Sequence, residues 1–504
     1  MPGVSAAAVA VDNAGADPGS LSDKVGRGIA WSGTGTLLVR LLRFALFIVL
    51  ARLIAPEHFG VVALATVFIA LLSVVATSGL GPSIIQRAQL ERSYLDSAFG
   101  FTVALGALMC LAMLAAAPLL GRAFGEPELT PVLRVLSLSF LLTGLASVPQ
   151  ALMVRALAMK ALMVRSVVAA LISSVVALVL ALLGAGVWAL VVQTLLEALV
   201  SCVGVWLQAG YRPGLSFSVG ALRDLLSWGY KTSGMDLLNA LTQRLDDLLI
   251  GAVLGTEALG IYSVAYRLLT QINEAVSGTS RNVAFSAFSR MQNEPGRLAA
   301  ALVRVLRMMY VVLLPVYVFL AVLAGPVVVL LFGAEWSAAA DVLPLLCALG
   351  ALLPCIDMGN AVLQANGRPG RALQLTLLRA AVAGAGFAVT VQFGLVAVAA
   401  SAAGAALLLV VPTLRAVGSL LPFHLRDFVT VLVRPVVCVA VAGGLLVLVE
   451  ASVGTAALIV ASAVPAGLLY LTTVVAADRA TRTELSAVLR RVAPSRVHRL
   501  VSAT

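Results

Sequence analysis

Charge is what this chain has least of: Asp, Glu, Lys and Arg make up 11% of its 504 residues, where a soluble globular domain carries roughly a quarter. Hydrophobic residues reach 61% and the mean hydropathy is +1.05, which excludes a soluble globular protein. Cysteine is scarce too. The five cysteines, Cys110, Cys202, Cys347, Cys355 and Cys438, all fall in apolar runs with no C-x-x-C pair, so neither a disulfide framework nor a metal site is expected. The three histidines, His58, His424 and His498, are too few and too scattered for a zinc cluster or a hydrolytic triad. No G-x-x-x-x-G-K followed by Ser or Thr occurs, which excludes nucleotide hydrolysis by that route. No cofactor, metal or catalytic residue is expected, and the chain does not read as an enzyme.

What is present is a series of long apolar runs. A helix needs about 20 apolar residues to cross a hydrocarbon core roughly 30 Å thick, and fourteen runs of that order can be marked between Pro, Gly and charge clusters. They are Ile29 to Leu53, Phe59 to Gly79, Leu95 to Ala117, Thr130 to Leu152, Leu162 to Leu183, Gly186 to Leu207, Leu225 to Leu254, Leu259 to Phe285, Leu302 to Leu331, Asp341 to Leu363, Ala372 to Phe393, Leu395 to Leu414, Phe428 to Val449 and Thr455 to Val475. The expected fold is an all-α integral membrane protein of about fourteen transmembrane helices.

An even number of spans puts both termini on one side, and the basic residues say which. With the N-terminus inside, twenty-five of the thirty-four Lys and Arg residues fall in cytoplasmic segments and only Arg52, Arg122 and Arg134 in outer loops. The expected location is the bacterial inner membrane, multi-pass, with both termini cytoplasmic. The net charge of +11 then reflects topology and attraction to anionic membrane lipids, not nucleic-acid binding. Residues 1–24 form a leader without the basic start of a secretory signal, so they are expected to be disordered, with the first span as its own uncleaved signal. In the basic tail, 478–504, Leu485, Val488, Leu489 and Val492 recur at helical spacing among arginines, as suits a helix lying on the cytoplasmic leaflet.

An internal repeat appears at an offset of 200 residues, where Leu53-Ile54-Ala55-Pro56-Glu57-His58-Phe59-Gly60-Val61 parallels Val253-Leu254-Gly255-Thr256-Glu257-Ala258-Leu259-Gly260-Ile261. Six helices separate the copies, so both enter the membrane from the same side. The organisation expected is two pseudo-symmetric six-helix lobes, 25–208 and 225–420, joined by a cytoplasmic linker, 209–224, and followed by two further transmembrane helices within 421–477.

Transporters built this way bind substrate between the repeats near the midplane, which directs attention to polar residues deep in the spans. The first span carries Arg40 and Arg43, where an isolated Arg costs roughly 2.5–3.5 kcal/mol on insertion scales. The seventh carries Lys231, Asp236, Asn239, Gln243, Arg244, Asp246 and Asp247, and the eighth Arg267, Gln271, Glu274 and Arg281. The expectation is one mildly cationic cavity in which Arg40, Arg43, Lys231, Arg267, Gln243, Gln271 and Asn239 bind substrate. Guanidinium groups suit an anionic substrate such as a diphosphate. Asp246, Asp247, Glu274 and Asp236 are the candidates for ion coupling, since burial raises a carboxylate pKa toward the working range. Asp357 and Glu197 are less central candidates. Internal ion pairing, for example Arg244 with Asp247, is the competing reading of each charge.

Ser78-Gly79-Leu80-Gly81-Pro82-Ser83-Ile84-Ile85-Gln86-Arg87, Leu259-Gly260-Ile261-Tyr262-Ser263-Val264-Ala265, Leu331-Phe332-Gly333-Ala334-Glu335-Trp336 and Leu363-Gln364-Ala365-Asn366-Gly367-Arg368 resemble the recurrent signatures of bacterial polysaccharide exporters. These are lipid-linked oligosaccharide flippases of the multidrug, oligosaccharidyl-lipid and polysaccharide superfamily, here nearest the O-antigen and colanic-acid type. The resemblance implies alternating access and a polyprenyl-diphosphate-linked oligosaccharide as cargo, hence a role in lipopolysaccharide or exopolysaccharide export. A proton or sodium ion would be the coupling ion and a polysaccharide polymerase a possible partner. A lipid II flippase or a multidrug antiporter of the same superfamily, or a membrane glycan polymerase or ligase, are the alternatives; the last usually needs a long outer loop, and the outer loops here are short.

Overall fold

The computed structural model describes residues 42–77, 80–86, 91–214, 216, 218–220, 222–224, 237–238, 240–452, 456–477 and 482. All the described regular structure is helical, as a bilayer demands: with no water in the hydrocarbon core, each segment must satisfy its own backbone hydrogen bonds. Among the described residues eleven helices are long and apolar enough to cross a membrane, and they coincide with eleven of the fourteen runs expected. The leader, most of the tail and the basic helix proposed within it lie outside the described residues.

The other three runs differ for identifiable reasons. The first is helical over 42–53, and its earlier part lies outside the described residues. So does most of the first half of the seventh. The eighth is described throughout but is not one uniform helix. It runs as Gly255–Asn273, a π turn Glu274–Gly278 and Thr279–Arg290, and its charged residues lower its hydropathy below that of a lipid-facing span. The ninth is longer than expected at its start and breaks near its end into Pro295–Val322 and Ala324–Phe332.

By its internal contacts the chain divides into two compact units, Met1–Ser263 and Val264–Thr504. In the first, α1 (42–53) is followed by α2 (Pro56–Thr77), α3 (Leu80–Gln86), α4 (Arg92–Ala123), α5 (Leu129–Leu136), α6 (Leu138–Arg155), α7 (Met159–Leu182) and α8 (Val187–Ala209). After the linker come α9 (Leu245–Val253) and the start of α10 (Gly255–Asn273). Helix α6 packs on α4 and α8, and α7 on α8. Lipid tails are as apolar as leucine, so helices in a bilayer associate through close packing of small residues. The α4/α6 crossing follows this rule. Gly106 sits against the Phe140 carbonyl and Gly144 against that of Thr102, whose hydroxyl donates to the Gly144 carbonyl at 3.1 Å.

The same device joins the two stretches matched in the sequence. A β-carbon on Gly60 would overlap the Thr256 carbonyl oxygen, and one on Gly260 would overlap that of Pro56. Thr256 and Pro56 are themselves a matched pair, so the contact is reciprocal. Around it, Thr256 Oγ1 donates to Glu126 Oε2 at 2.8 Å and His58 Nδ1 lies 3.4 Å from Glu128 Oε2. The start of α2 is thereby knitted both to α10 and to the turn between α4 and α5.

In the second unit, the helix Pro295–Val322 packs on Ala339–Ala365 and on Leu425–Ser452, and Ala339–Ala365 packs on Leu395–Gly418. Trp336, Tyr317 and Phe332 are fully buried. The last two spans dock through one apolar cluster in which Val311, Phe319 and Leu323 meet Cys438, Ala442 and Leu446 together with Ala466, Tyr470 and Val474. The Tyr470 hydroxyl donates to the Val311 carbonyl at 3.0 Å, so the one polar atom of that ring is satisfied in an apolar setting.

The Gly60/Gly260 contact yields a test. Gly60→Ala and Gly260→Ala each drive a methyl group into backbone that cannot rotate away, and overpacking of this kind costs about 1–3 kcal/mol or more. Both variants are expected to melt several degrees below wild type in detergent. Gly100→Ala, where nothing lies within 4 Å of the added carbon, is expected to melt no lower, because Ala is the better helix former.

Candidate functional site

The polar groups of the first unit are held by partners on named elements. Arg43, on α1, forms an ion pair with Glu197 of α8. Both side chains keep about a third or more of their surface exposed, 40% and 33%. Part of the guanidinium is nonetheless sequestered, since Arg43 Nε is buried and makes no hydrogen bond. The acid that answers Arg43 is thus Glu197, which sequence reasoning ranked as a marginal ion-coupling candidate.

Asp246 and Asp247 open α9. Asp246 is buried, accepts a hydrogen bond from the Tyr262 hydroxyl at 3.0 Å and also accepts from the Asp247 backbone N–H at 3.0 Å. Asp247 is bound by Arg244 at 3.2 Å, the internal pairing weighed from the sequence. Two carboxylates in a first helical turn also meet the positive end of the helix dipole. Gln243 is exposed, in the turn that precedes α9.

In the second unit, Arg267, Gln271 and Glu274 follow one another at intervals of four and three residues, Arg267 and Glu274 exposed and Gln271 half-buried. They lead into the π turn, where Ser277 donates to Asn273 Oδ1 at 2.7 Å. Such single-turn bulges recur at functional sites. Arg40, Lys231, Asp236 and Asn239, and the side chain of Arg281, lie outside the described residues.

A buried acid that sequence reasoning passed over organises the end of the first unit. The Asp96 side chain on α4 is 1% exposed. Its carboxylate accepts from Tyr211 Oη at 3.0 Å, from the Gly214 backbone N–H at 2.9 Å and from Ser216 Oγ at 2.7 Å. The next residue, Ser97, accepts from the Ser218 N–H at 2.8 Å. The linker that follows α8 is therefore clasped to the start of α4. Tyr211 also stacks edge-on against Phe99. Burial first, and then the hydrogen bond to Asp96, push its phenol well above the usual tyrosine range, so it remains a donor at physiological pH. The sequence signal was available in the polar residues of the linker, but nothing local names Asp96 as their acceptor.

Among the described residues no group of three or more His, Cys, Asp or Glu is placed to hold a metal ion, and all five cysteines are buried and unbonded to one another.

A family profile described as "Polysaccharide biosynthesis protein" matches residues 49–341. The succinoglycan biosynthesis transport protein ExoT of Rhizobium meliloti (strain 1021) is 31% identical over 335 residues, 66% of this chain and 67% of that protein. The lipopolysaccharide biosynthesis protein WzxC of Escherichia coli (strain K12) is 28% identical over 356 residues, 69% of this chain and 71% of that one. Among solved structures, the lipid II flippase MurJ in an inward closed conformation superposes with a TM-score of 0.74 at 12% identity, covering 88% of this chain and 98% of MurJ. An inward-facing multidrug resistance MATE transporter of the MOP superfamily gives 0.59 at 20% identity, covering 77% and 98%. At these identities the structural likeness is one of fold.

Hydrogen bonds to a charged group contribute about 1.5–3 kcal/mol each, so Asp96→Ala, which strands three donors, is expected to destabilise by at least about 3 kcal/mol. Asp96→Asn, which keeps one acceptor oxygen, should lose less; chemical unfolding of the purified variants measures both. For Arg43 and Glu197, the double variant Arg43→Ala with Glu197→Ala is expected to melt no lower than Arg43→Ala alone, because the second change removes the acid left without its partner. Simple addition of the two losses would show that the pair does not act as a unit.

Proposed function

This chain belongs to the polysaccharide biosynthesis protein family, and from that premise we propose that it is a membrane transporter that flips a polyprenyl-diphosphate-linked oligosaccharide to the outer face of the inner membrane. The observation that carries this reading is the 31% identity, across two thirds of both chains, to a protein named for transport in succinoglycan biosynthesis. The second relative is named for lipopolysaccharide biosynthesis, so the cargo of this chain is a polysaccharide repeat unit of one of these kinds. Eleven membrane-capable helices and a fold shared with MurJ and MATE transporters support a transporter that works by alternating access and is not an enzyme.

Arginine suits such cargo because its planar fork bonds two phosphate oxygens at once. Arg43 and Arg267, with Arg40 and Lys231, are the cations proposed to meet the diphosphate, and Gln243, Gln271 and Asn239 to bond the sugars. In this reading Glu197 holds Arg43 until a phosphate competes for it. Coupling to a proton or sodium ion would fall to Asp246, Asp247, Glu274 or Asp236. Asp247 is the strongest of these, since it has a single cationic partner to exchange. Both termini are assigned to the cytoplasm on the basic bias of the sequence, and a polysaccharide polymerase is the partner that would take the flipped unit.

A lipid II flippase is the second reading, favoured by the MurJ fold. A likeness of fold at 12% identity does not select a cargo, however, and the sequence relatives point to polysaccharide. A multidrug antiporter for cationic compounds would be expected to present acids rather than arginines.

In a deletion strain, lipid-linked oligosaccharide is expected to accumulate on the cytoplasmic face of the inner membrane with loss of surface polysaccharide, both restored by complementation. Arg40→Ala with Arg43→Ala should fail to complement while reaching the membrane at wild-type abundance. A lipid-linked unit that crosses normally but stays unpolymerised would instead indicate an enzyme, and unchanged lipids a small-molecule exporter.

A further inference from the structure

A second cationic feature of the first unit is absent from the reading above. Between α3, α6, α7 and α8 lies a cleft of about 390 Å³, into which Arg165 enters from α7. Arg165 stands six residues past Met159, about 9 Å along the helix at 1.5 Å per residue, and the basic bias of the sequence assigns that end of α7 to the cytoplasm. Positive-inside anchoring would account for an arginine reaching water. It does not account for this one, whose side chain is folded into the bundle.

Four observations show a seat prepared for the charge. A β-carbon on Gly204 of α8 would stand 2.8 Å from Arg165 Cγ, so the glycine leaves room for the aliphatic stem. Gln150 Oε1 of α6 accepts from Arg165 Nη1 at 3.1 Å and fixes the plane of the guanidinium. Arg165 Nε is buried without a hydrogen-bond partner. No acid lines the cleft, and Glu197, one residue before the lining Ala198, is taken up by Arg43. A cation held at membrane depth with only a neutral amide against it is a costly arrangement unless an anion joins it.

The rest of the lining says which anion. Thr143, Ser147 and Ser201 bring hydroxyl donors to the same cleft, while Ile85, Leu142 and Val154 make its walls apolar. Donors around a planar fork suit a tetrahedral phosphate, and apolar walls suit the chain attached to it. Arg155, next to the lining Val154, donates to the Ile84 carbonyl at 3.0 Å and adds positive potential beside the cleft. Basic pockets between transmembrane helices on the cytoplasmic side are recurrent seats for lipid headgroups, and the volume is within the range of small-ligand sites.

We propose that the Arg165 cleft binds a lipid-borne phosphate, with Arg165 as the bidentate donor, Gln150 as its positioning residue, and Ser147 and Ser201 as supporting donors. The phosphate can belong to an anionic phospholipid of the inner leaflet or to the diphosphate of a polyprenyl-linked cargo. The site stands on its own geometry and does not require that the chain flip oligosaccharide.

The test is equilibrium binding to the purified full-length protein in detergent, read by native mass spectrometry, with short-chain phosphatidylglycerol, geranyl diphosphate, inorganic pyrophosphate and the phosphate-free dihexanoylglycerol as probes. Arg165→Gln is expected to weaken binding of the phosphate lipids at least tenfold, Arg165→Lys less, and Ser147→Ala with Ser201→Ala two- to fivefold. The serine variant leaves the arginine seat intact, so it decides the matter if Arg165→Gln fails to fold. Preference for phosphatidylglycerol would assign the site to bulk lipid, and preference for geranyl diphosphate to the cargo; either supports the site. Equal affinity of wild type and both variants for the phosphate lipids would overturn the proposal. So would dihexanoylglycerol binding as tightly as phosphatidylglycerol, or pyrophosphate as tightly as geranyl diphosphate.

Discussion

The backbone-to-backbone contact at Gly60 and Gly260 is the constraint around which the first unit is arranged. Helices in lipid gain little from burying apolar side chains against one another, and what holds them is the distance to which their backbones can close. Where α2 and α10 cross, that distance is so short that no β-carbon fits on either side. The crossing fixes the start of α2, and with it the positions of His58 beside Glu128 and of Thr256 beside Glu126. Helix α10 passes from this point toward Tyr262, whose hydroxyl holds Asp246. A packing contact made of two glycines thus sets the frame in which the buried acid at the start of α9 is satisfied.

The charges of the chain divide by what answers them. Asp247 is met by Arg244, Arg43 by Glu197 and Asp96 by four donors of a loop. Each follows the rule that a buried ion must be paired or fully hydrogen-bonded. Arg165 departs from the rule, with a neutral amide as the partner of its guanidinium and an unpartnered Nε. Paired charges specify structure and can be exchanged for a competing ion only at the cost of their present partner. A charge seated without a counter-ion has no such partner to lose.

Much of the fold was legible in the sequence because a bilayer imposes one dominant rule. Length and hydropathy located the helix from Thr130 to Leu152, and the structure extends it only to Leu129–Arg155. The rule failed where function loads a helix with polar groups. The run from Leu259 to Phe285 was read as a single span, but Arg267 and Glu274 make it too polar for a uniform lipid-facing helix, and a π turn interrupts it. For the candidate site, the sequence named the polar residues well and their partners poorly. Arg244 with Asp247 could be foreseen because they lie one turn apart. Arg43 with Glu197, and Asp96 with Tyr211, join positions more than a hundred residues apart, and no local pattern encodes such a pairing.

The clasp at Asp96 changes what the segment after α8 is mechanically. Counted along the chain, Gln208 to Arg223 would make a flexible tether whose reach grows with the square root of its length. Pinned at Tyr211, Gly214, Ser216 and Ser218, most of that length is spent against α4 before any slack begins. The effective tether starts only after Ser218, and the chain that enters the region before α9 does so from a fixed point on the first unit.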